Sequence, residues 1–419
     1  MWRVRPEWAL GFKSFSLISF QNNLVSFRRS MEVIEVKGET ERLEFIQLPV
    51  RLYKDVPQWI RPLDKDIESV FDPERNKSFR DGECARWILK DEAGRTIGRV
   101  AAFIQKKTIN KGNDQPTGGM GFFECISDHR AAFALFDQCK QWLQARGMEA
   151  MDGPINFGSR EKWWGLLVEG FDREPNYQSN YNFPYYKEMF ESYGFKLYFA
   201  QLTYARKIAE PLSERLAHKA EIVKRDADYV FRHIRRDELD KLPEYIRQVY
   251  NRAWTNRAEA PELTSAQAKL LVQQIRPILD PKLLWFGFYK DEPVATFLSL
   301  PEINQWFKYV NGKLNWIGLI KLGWHKLMNK NTKAFGILFG IVPEHQGKGV
   351  DGALIMAARE LIRPGGLHYT EYEMNWIGDF NPKMIQVVEQ VGGFVSKRHV
   401  TYRKLFDESK PFRRHPILS

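Results

Sequence analysis

Residues 335–362 read FGILFGIVPEHQGKGVDGALIMAARELI. Phe335 to Val342 is an unbroken apolar run, which predicts a buried strand, and Pro343 ends it. A loop rich in glycine and cation follows, His345-Gln346-Gly347-Lys348-Gly349-Val350. Leu354, Ala357, Ala358 and Leu361 then recur at helical spacing, so a helix starts where the loop ends. Strand, glycine loop and helix N-terminus in this order make an anion site. The first N–H groups of the helix have no intrahelical acceptor and lie at the positive end of its dipole. Glycine lets an anion approach the backbone with no Cβ in the way. Lys348 adds a charge-assisted bond of about 1.5–3 kcal/mol.

Gln346-x-x-Gly349 resembles motif A of the GNAT superfamily of acyl-CoA N-acyltransferases, written Arg/Gln-x-x-Gly-x-Gly/Ala. The last position is Asp351, where a small residue is usual, with Gly352 one step later. An acid beside a bound pyrophosphate is unfavourable unless it points away. The resemblance implies that the loop holds the pyrophosphate of coenzyme A.

A second signal is internal. The first half of the chain has Asn182-Phe183-Pro184-Tyr185-Tyr186, then Gly194-Phe195, then Leu202-Thr203-Tyr204. The second half has Asn381-Pro382-Lys383-Met384, then Gly393-Phe394, then Val400-Thr401-Tyr402. In both, Asn lies twelve residues before Gly-Phe and a Thr-Tyr strand follows soon after, and this ordered set marks a duplicated helix–turn–strand unit. It resembles GNAT motif B, in which an Asn opens a helix that Gly-Phe ends. Upstream, Ala85–Leu89, Gly98–Ile104 and Met120–Ile126 read as strands. Asp128 caps a helix reaching Arg146, and Ala150–Ile155 is the next strand. The order of elements is repeated, but the first half has Ser127-Asp128-His129 where the second has its glycine loop. The first half is therefore not expected to bind coenzyme A in the usual way.

Composition agrees with well-filled globular domains: of 419 residues, 43% are hydrophobic and 27% charged. The net charge of +11 and pI near 9.3 favour an anionic partner such as a CoA phosphate, a nucleic acid or an acidic membrane surface. Cys84, Cys125 and Cys139 have no metal-like spacing, so neither a metal site nor a disulfide framework is expected. A reducing, cytoplasmic compartment follows. Residues 1–30 carry five Lys and Arg against Glu7 alone; translation is expected to start at Met31.

The resemblance implies an α/β (α+β) fold with two GNAT-like domains in tandem, each a mixed, mostly antiparallel sheet flanked by helices. The expected division is 1–30 as an extension, 31–208 as a degenerate domain, 209–228 as a linker or short helix, 229–406 as the domain with the CoA loop, and 407–419 as a tail. It also implies an N-acyltransferase that uses acetyl-CoA or a longer acyl-CoA. On that basis Ile341 and Val342 line the pantetheine arm. Gln346, Gly347, Lys348, Gly349 and Val350 hold the pyrophosphate, and His345 contacts phosphate or serves as base. Asn381 bonds the cofactor or caps its helix.

The attacking amine must be neutral. At pH 7, freeing an alkyl amine of pKa ~10.4 costs about 4.6 kcal/mol, so a base is expected. Glu371 and Glu373 lie two apart on the expected strand Leu367–Trp376 and share a face. Glu373 is preferred because it lies nearer the strand's end; either residue is alternatively an ion-pair partner. The Tyr that many GNAT enzymes use as general acid is absent, since Val388 stands at that place. In the first half Asp152, Asn156, Tyr177, Asn180, Tyr181, Asn182 and Glu124 form an acceptor pocket or a hydrogen-bonded loop.

Residues 306–330 interleave Trp306, Trp316, Ile320, Leu322 and Trp324 with Lys308, Lys313, Lys321, Lys326 and Lys330. This suits an interfacial helix or hairpin touching the inner membrane face, or else a helix packed on the domain with solvated lysines. The leading reading is transfer of an acyl group to a small-molecule or lipid-like amine acceptor. A Fem-like transferase using aminoacyl-tRNA and a non-catalytic acyl-CoA sensor are the alternatives. The chain lacks helix-turn-helix and zinc spacing, which speaks against a nucleic-acid partner.

Overall fold

The computed structural model describes residues 31–110, 112–254, 262–328, 331–361 and 366–418. The N-terminal extension, residues 1–30, lies outside the described residues. The first half runs β1 (Glu32–Glu35), α1 (Glu39–Leu52), α2 (Asp64–Phe71), β2 (Gly82–Lys90), β3 (Thr96–Gln105), β4 (Thr117–Cys125), α3 (His129–Gln144), β5 (Ala150–Gly153), β6 (Leu166–Glu169), α4 (Tyr186–Ser192) and β7 (Lys196–Lys207). The expected linker contains α5 (Glu214–Lys224). The second half runs β8 (Tyr229–His233), α6 (Leu242–Trp254), α7 (Ser265–Ile275), β9 (Leu284–Tyr289), β10 (Glu292–Pro301), α8 (Asn304–Phe307), α9 (Trp316–Leu327), β11 (Lys333–Ile341), α10 (Val350–Arg359), β12 (Glu371–Met374), β13 (Ile377–Gly378), α11 (Pro382–Gln390) and β14 (Phe394–Leu405).

Each half repeats an antiparallel meander that ends in one parallel pair, β4 with β5 and β11 with β12. Helix formation follows local signals. Asp128 accepts a hydrogen bond from the Arg130 N–H and caps α3. That helix buries Ala132, Leu135, Phe136, Cys139 and Leu143 at helical spacing on the sheet. Residues 54–82 contain α2. Its Asp64 and Asp66 suit the helix N-terminus, and Ile67 and Val70 are buried.

The two halves do not close their own sheets. The strand order is β1-β2-β3-β4-β5-β14-β7-β12-β11-β10-β9-β8. β14, last in the second half, pairs with β5 of the first half through Tyr402↔Gly153 to Leu405↔Ala150. β7, last in the first half, pairs with β12 through Glu371↔Lys207 to Glu373↔Ala205. The final strands are thus exchanged, and they pair with each other from Phe394↔Ala205 to Arg403↔Lys196.

The seam is buried yet carries polar side chains, several of them partnered across it, while Gln201 Nε2 has no partner. Arg403 donates to the Asp152 carboxylate at 2.6 and 2.7 Å. Thr401 donates to Gln201 Oε1 at 3.2 Å and accepts from Trp164 Nε1 at 3.1 Å. The first half's core includes Val388, Val400 and Tyr402 from beyond the linker. The halves should therefore melt as one unit. Urea unfolding followed by tryptophan fluorescence and by far-UV circular dichroism should give coincident single transitions. Deleting residues 394–419 should unfold the first half as well, because β5 loses its neighbour.

Candidate active site

The parallel pair β11–β12 is short. It runs from Lys333↔Glu371 to Gly336↔Met374 and then parts. β11 continues to Ile341, while the other chain turns away so that Ile377 of β13 pairs with Leu202 of β7. The strands therefore splay beyond Gly336, at the carboxyl end of a parallel pair, where open α/β sheets bind ligands. A Cβ on Gly336 would lie 1.9 Å from the Tyr372 hydroxyl, so a larger residue there would push that ring aside.

A cavity of about 650 Å³ occupies the splay. β11 lines it at Ala334 and from Gly336 to Phe339, with Trp285 and Phe297 beside it. α10 contributes Asp351, Ile355, Ala358 and Arg359, and α11 contributes Met384, Val387 and Val388. The first half supplies Glu161, Arg206 and Ile208, and strand exchange places Arg206 there. Arg206 and Arg359 each have a buried Nε with no hydrogen-bond partner, which gives one wall two cations.

At the end of β11 the glycine loop has the conformation its sequence suggests. Gly347 and Gly349 have positive φ, +71° and +94°. Gly349 is the N-cap of α10 and offers no side-chain bond, so the first N–H groups of the helix have no side-chain cap. Gly347 and Lys348 are exposed, Gly349 and Val350 buried. Gln346 bends back and donates from Nε2 to the Ile341 carbonyl at 2.8 Å. His345 is buried, its Nδ1 hydrogen-bonded to the Tyr229 hydroxyl. Burial and the Lys348 charge lower its pKa. His345 thus fixes the loop rather than facing a phosphate. Asn381 accepts from the Met384 N–H at 3.2 Å, capping α11, and also lines the cavity.

Other expected positions lie elsewhere. Ile341 and Val342 are not in the cavity wall, and the Val342 N–H is taken by the Val294 carbonyl. Glu373 is fully buried and does not reach the cavity. Its carboxylate receives Lys397 Nζ at 2.8 and 3.0 Å and Ser396 Oγ at 3.1 Å, with Lys333 Nζ at 3.2 Å. Burial alone would raise its pKa, but the Lys397 and Lys333 charges hold it down to about 2. A carboxylate so held is a weak base; the preference for Glu373 is corrected, because its strand face meets two lysines. Glu371 pairs with Arg173 at 2.9 Å and is also off the cavity. Two groups not foreseen line the cavity where the strands part. Glu161 is exposed and accepts from Asn375 Nδ2. Trp376 has a buried Nε1 without a partner.

The first half's polar cluster is a hydrogen-bonded loop. Asn182 bonds both the N–H and the carbonyl of Leu167, and Tyr181 donates to the Phe171 carbonyl. Glu124 is buried between the hydroxyls of Tyr53 and Tyr186, at 2.7 and 2.9 Å. The adjoining cavity is only about 60 Å³, room for a few waters.

Beside Glu373, Glu302 is also buried. Burial and the charge of Glu373 raise its pKa to about 7, against N–H bonds from Asn304 and Tyr177. A raised carboxyl stabilises the fold below its unfolded pKa, and that stability is lost as pH rises through 7. Ionising Glu302 costs about 3 kcal/mol by the linkage relation. Glu302→Gln, which keeps an acceptor for both N–H groups, should raise the melting temperature at pH 8 and leave it nearly unchanged at pH 4. Glu373 acts oppositely: its contribution is present above about pH 4.3 and fades toward pH 2. Thermal melts from pH 3 to pH 9 read both effects.

No family model matches the chain. A bacterial ceramide synthase of Caulobacter vibrioides (strain NA1000 / CB15N) is 29% identical over 387 residues, covering 90% of this chain and 98% of its own. Protein YghO of Escherichia coli (strain K12) is 24% identical over 388 residues, covering 91% of this chain and 97% of its own. Among solved structures, a tandem GNAT protein from the clavulanic acid biosynthesis pathway superposes with a TM-score of 0.50 at 10% identity, over 91% of this chain and 100% of its own. At that identity the likeness is one of fold: the chain has the tandem GNAT fold, with the glycine loop kept only in its second half.

Proposed function

We propose that the chain is an N-acyltransferase that moves an acyl group from acyl-CoA to a lipid-like amine, in the cytoplasm at the inner membrane face. One observation carries the reading: a large apolar cavity lies in the splay of β11 and β12 beside an uncapped glycine loop. The residues fit a CoA thioester. The loop N–H groups and Lys348 suit its pyrophosphate. The wall from Ala334 to Phe339 is about 17 Å of strand, enough for a long chain. The similarity to a ceramide synthase supports a long-chain amine as acceptor.

The reaction joins the amine nitrogen to the thioester carbonyl carbon and breaks the carbon–sulfur bond; the leaving thiolate takes the proton that the nitrogen sheds as the amide forms, and departs as the CoA thiol. The ammonium form must first lose a proton. In this reading Glu161 takes it, standing where the strands part and reached from the first half. The Trp376 indole N–H, buried and without a partner, donates to the thioester oxygen as charge develops there. Arg206 and Arg359 keep a further cation out of that wall, so the amine enters from the Glu161 side.

Calorimetric titration with acyl-CoAs of increasing chain length tests the donor site. Affinity should rise with chain length. Lys348→Ala should weaken binding about ten-fold. Gly349→Ala should weaken it further, because its φ is +94° and a Cβ would lie 2.7 Å from the Lys219 carbonyl oxygen. Absence of binding to every acyl-CoA overturns the reading. With a long-chain amine, Glu161→Gln should lower kcat about 10²–10⁴-fold at pH 7 and recover as pH rises. Trp376→Phe should lower it about 10²-fold at every pH.

A further inference from the structure

α9 is turned inside out. At about 100° per residue, Trp316, Leu327, Ile320, Trp324, Ile317 and Met328 fall within an arc of about 120°, and that arc faces away from the protein. Trp316 is 71% exposed, Leu327 76%, Ile320 63% and Trp324 59%. The opposite side holds the helix down. Leu322 packs on the Ile303, Trp306, Phe307 and Val310 cluster, and His325 stacks on Tyr309 at 3.6 Å. Lys321 lies at one margin of the arc. Lys326 lies about 80° beyond the other edge, past the exposed Leu319, and donates from Nζ to the Pro277 carbonyl. From Ile303 to Pro343 the sequence has six lysines and no Asp or Glu.

We infer that α9 is a docking helix that lies in the surface of an anionic membrane, its apolar arc among the acyl chains and its lysines among the headgroups. The arrangement is that of an interfacial helix: a wide apolar face, tryptophans at the depth of the headgroups, and cations at the rim. The charge favours anionic lipid over a second copy of the chain, since two such helices would meet with like-charged margins. Among the described residues no helix is long and apolar enough to cross a membrane, so the contact is peripheral. Lys326 ties α9 to Pro277, and the nearby Lys282 and Leu283 line the large cavity. A docked α9 thus brings that end of the cavity toward the bilayer. The inference rests on the lipid-acceptor reading for its purpose, while its test does not require activity.

Vesicle flotation of the full chain tests it, with phosphatidylcholine alone or mixed with phosphatidylglycerol. The protein should float with the mixed vesicles, and less so at high salt. The triple variant Trp316→Ala, Ile320→Ala, Trp324→Ala alters only exposed side chains and should keep its melting temperature, yet partition about ten-fold more weakly. Lys313→Glu with Lys321→Glu should abolish the preference for phosphatidylglycerol. The inference falls if the parent protein stays in the soluble fraction or if the triple variant floats equally well. It falls also if size-exclusion chromatography shows a dimer that the triple variant breaks while neither protein floats. Acyl-CoA titration of the same preparation separates the claims. Binding without flotation refutes docking alone, and flotation without binding refutes acyl transfer alone.

Discussion

The exchange of β7 and β14 is the constraint on which the rest depends. A parallel pair such as β4–β5 or β11–β12 exposes an edge unless another strand covers it. Here each edge is covered by the last strand of the opposite half, so one sheet crosses the whole molecule. The exchange has an electrostatic counterpart. Lys397 from β14 and Lys333 from β11 converge on Glu373 in β12, while Lys397 also donates to the Glu174 carbonyl and to Asn176 of the first half. A buried charge left alone would be prohibitive, but a fully partnered cluster fixes which strands meet.

That rigid seam sits beside a deliberate gap. β12 is anchored by its ion pairs up to Glu373 and released immediately afterward, where β11 keeps straight on. The wedge is held open by the exchanged strand, because β13 pairs with β7 instead of following β11. The glycine loop, the apolar wall and the two unpartnered guanidinium nitrogens thus come from different parts of the chain, brought together by strand geometry.

Much of this was legible locally. The apolar run, the positive-φ glycines and the following helix are near neighbours in sequence, and the loop took the shape they imply. The duplicated Asn, Gly-Phe and Thr-Tyr set gave the tandem architecture. What local patterns could not give was partner choice. β7 and β14 carry the same signal, so each reads naturally as the edge of its own half. Glu371 and Glu373 showed their shared face by alternation, but nothing nearby announced Lys397 or Arg173. Glu161 lies far from the glycine loop in the chain, in the polar run Arg160-Glu161-Lys162, with no spacing that marks it. Ile341 and Val342 lie beyond the cavity wall along β11, because the splay begins as early as Gly336.

The missing glycine loop of the first half bears on how such a chain is maintained. A duplicated domain that loses its own ligand loop is free to decay unless something else depends on it. Here Arg206 and Ile208, contributed by that half, are part of the other half's cavity wall, and β7 is the strand its sheet needs. Any constraint on that cavity therefore falls on residues of the first half as well, which stands as a wall of its twin.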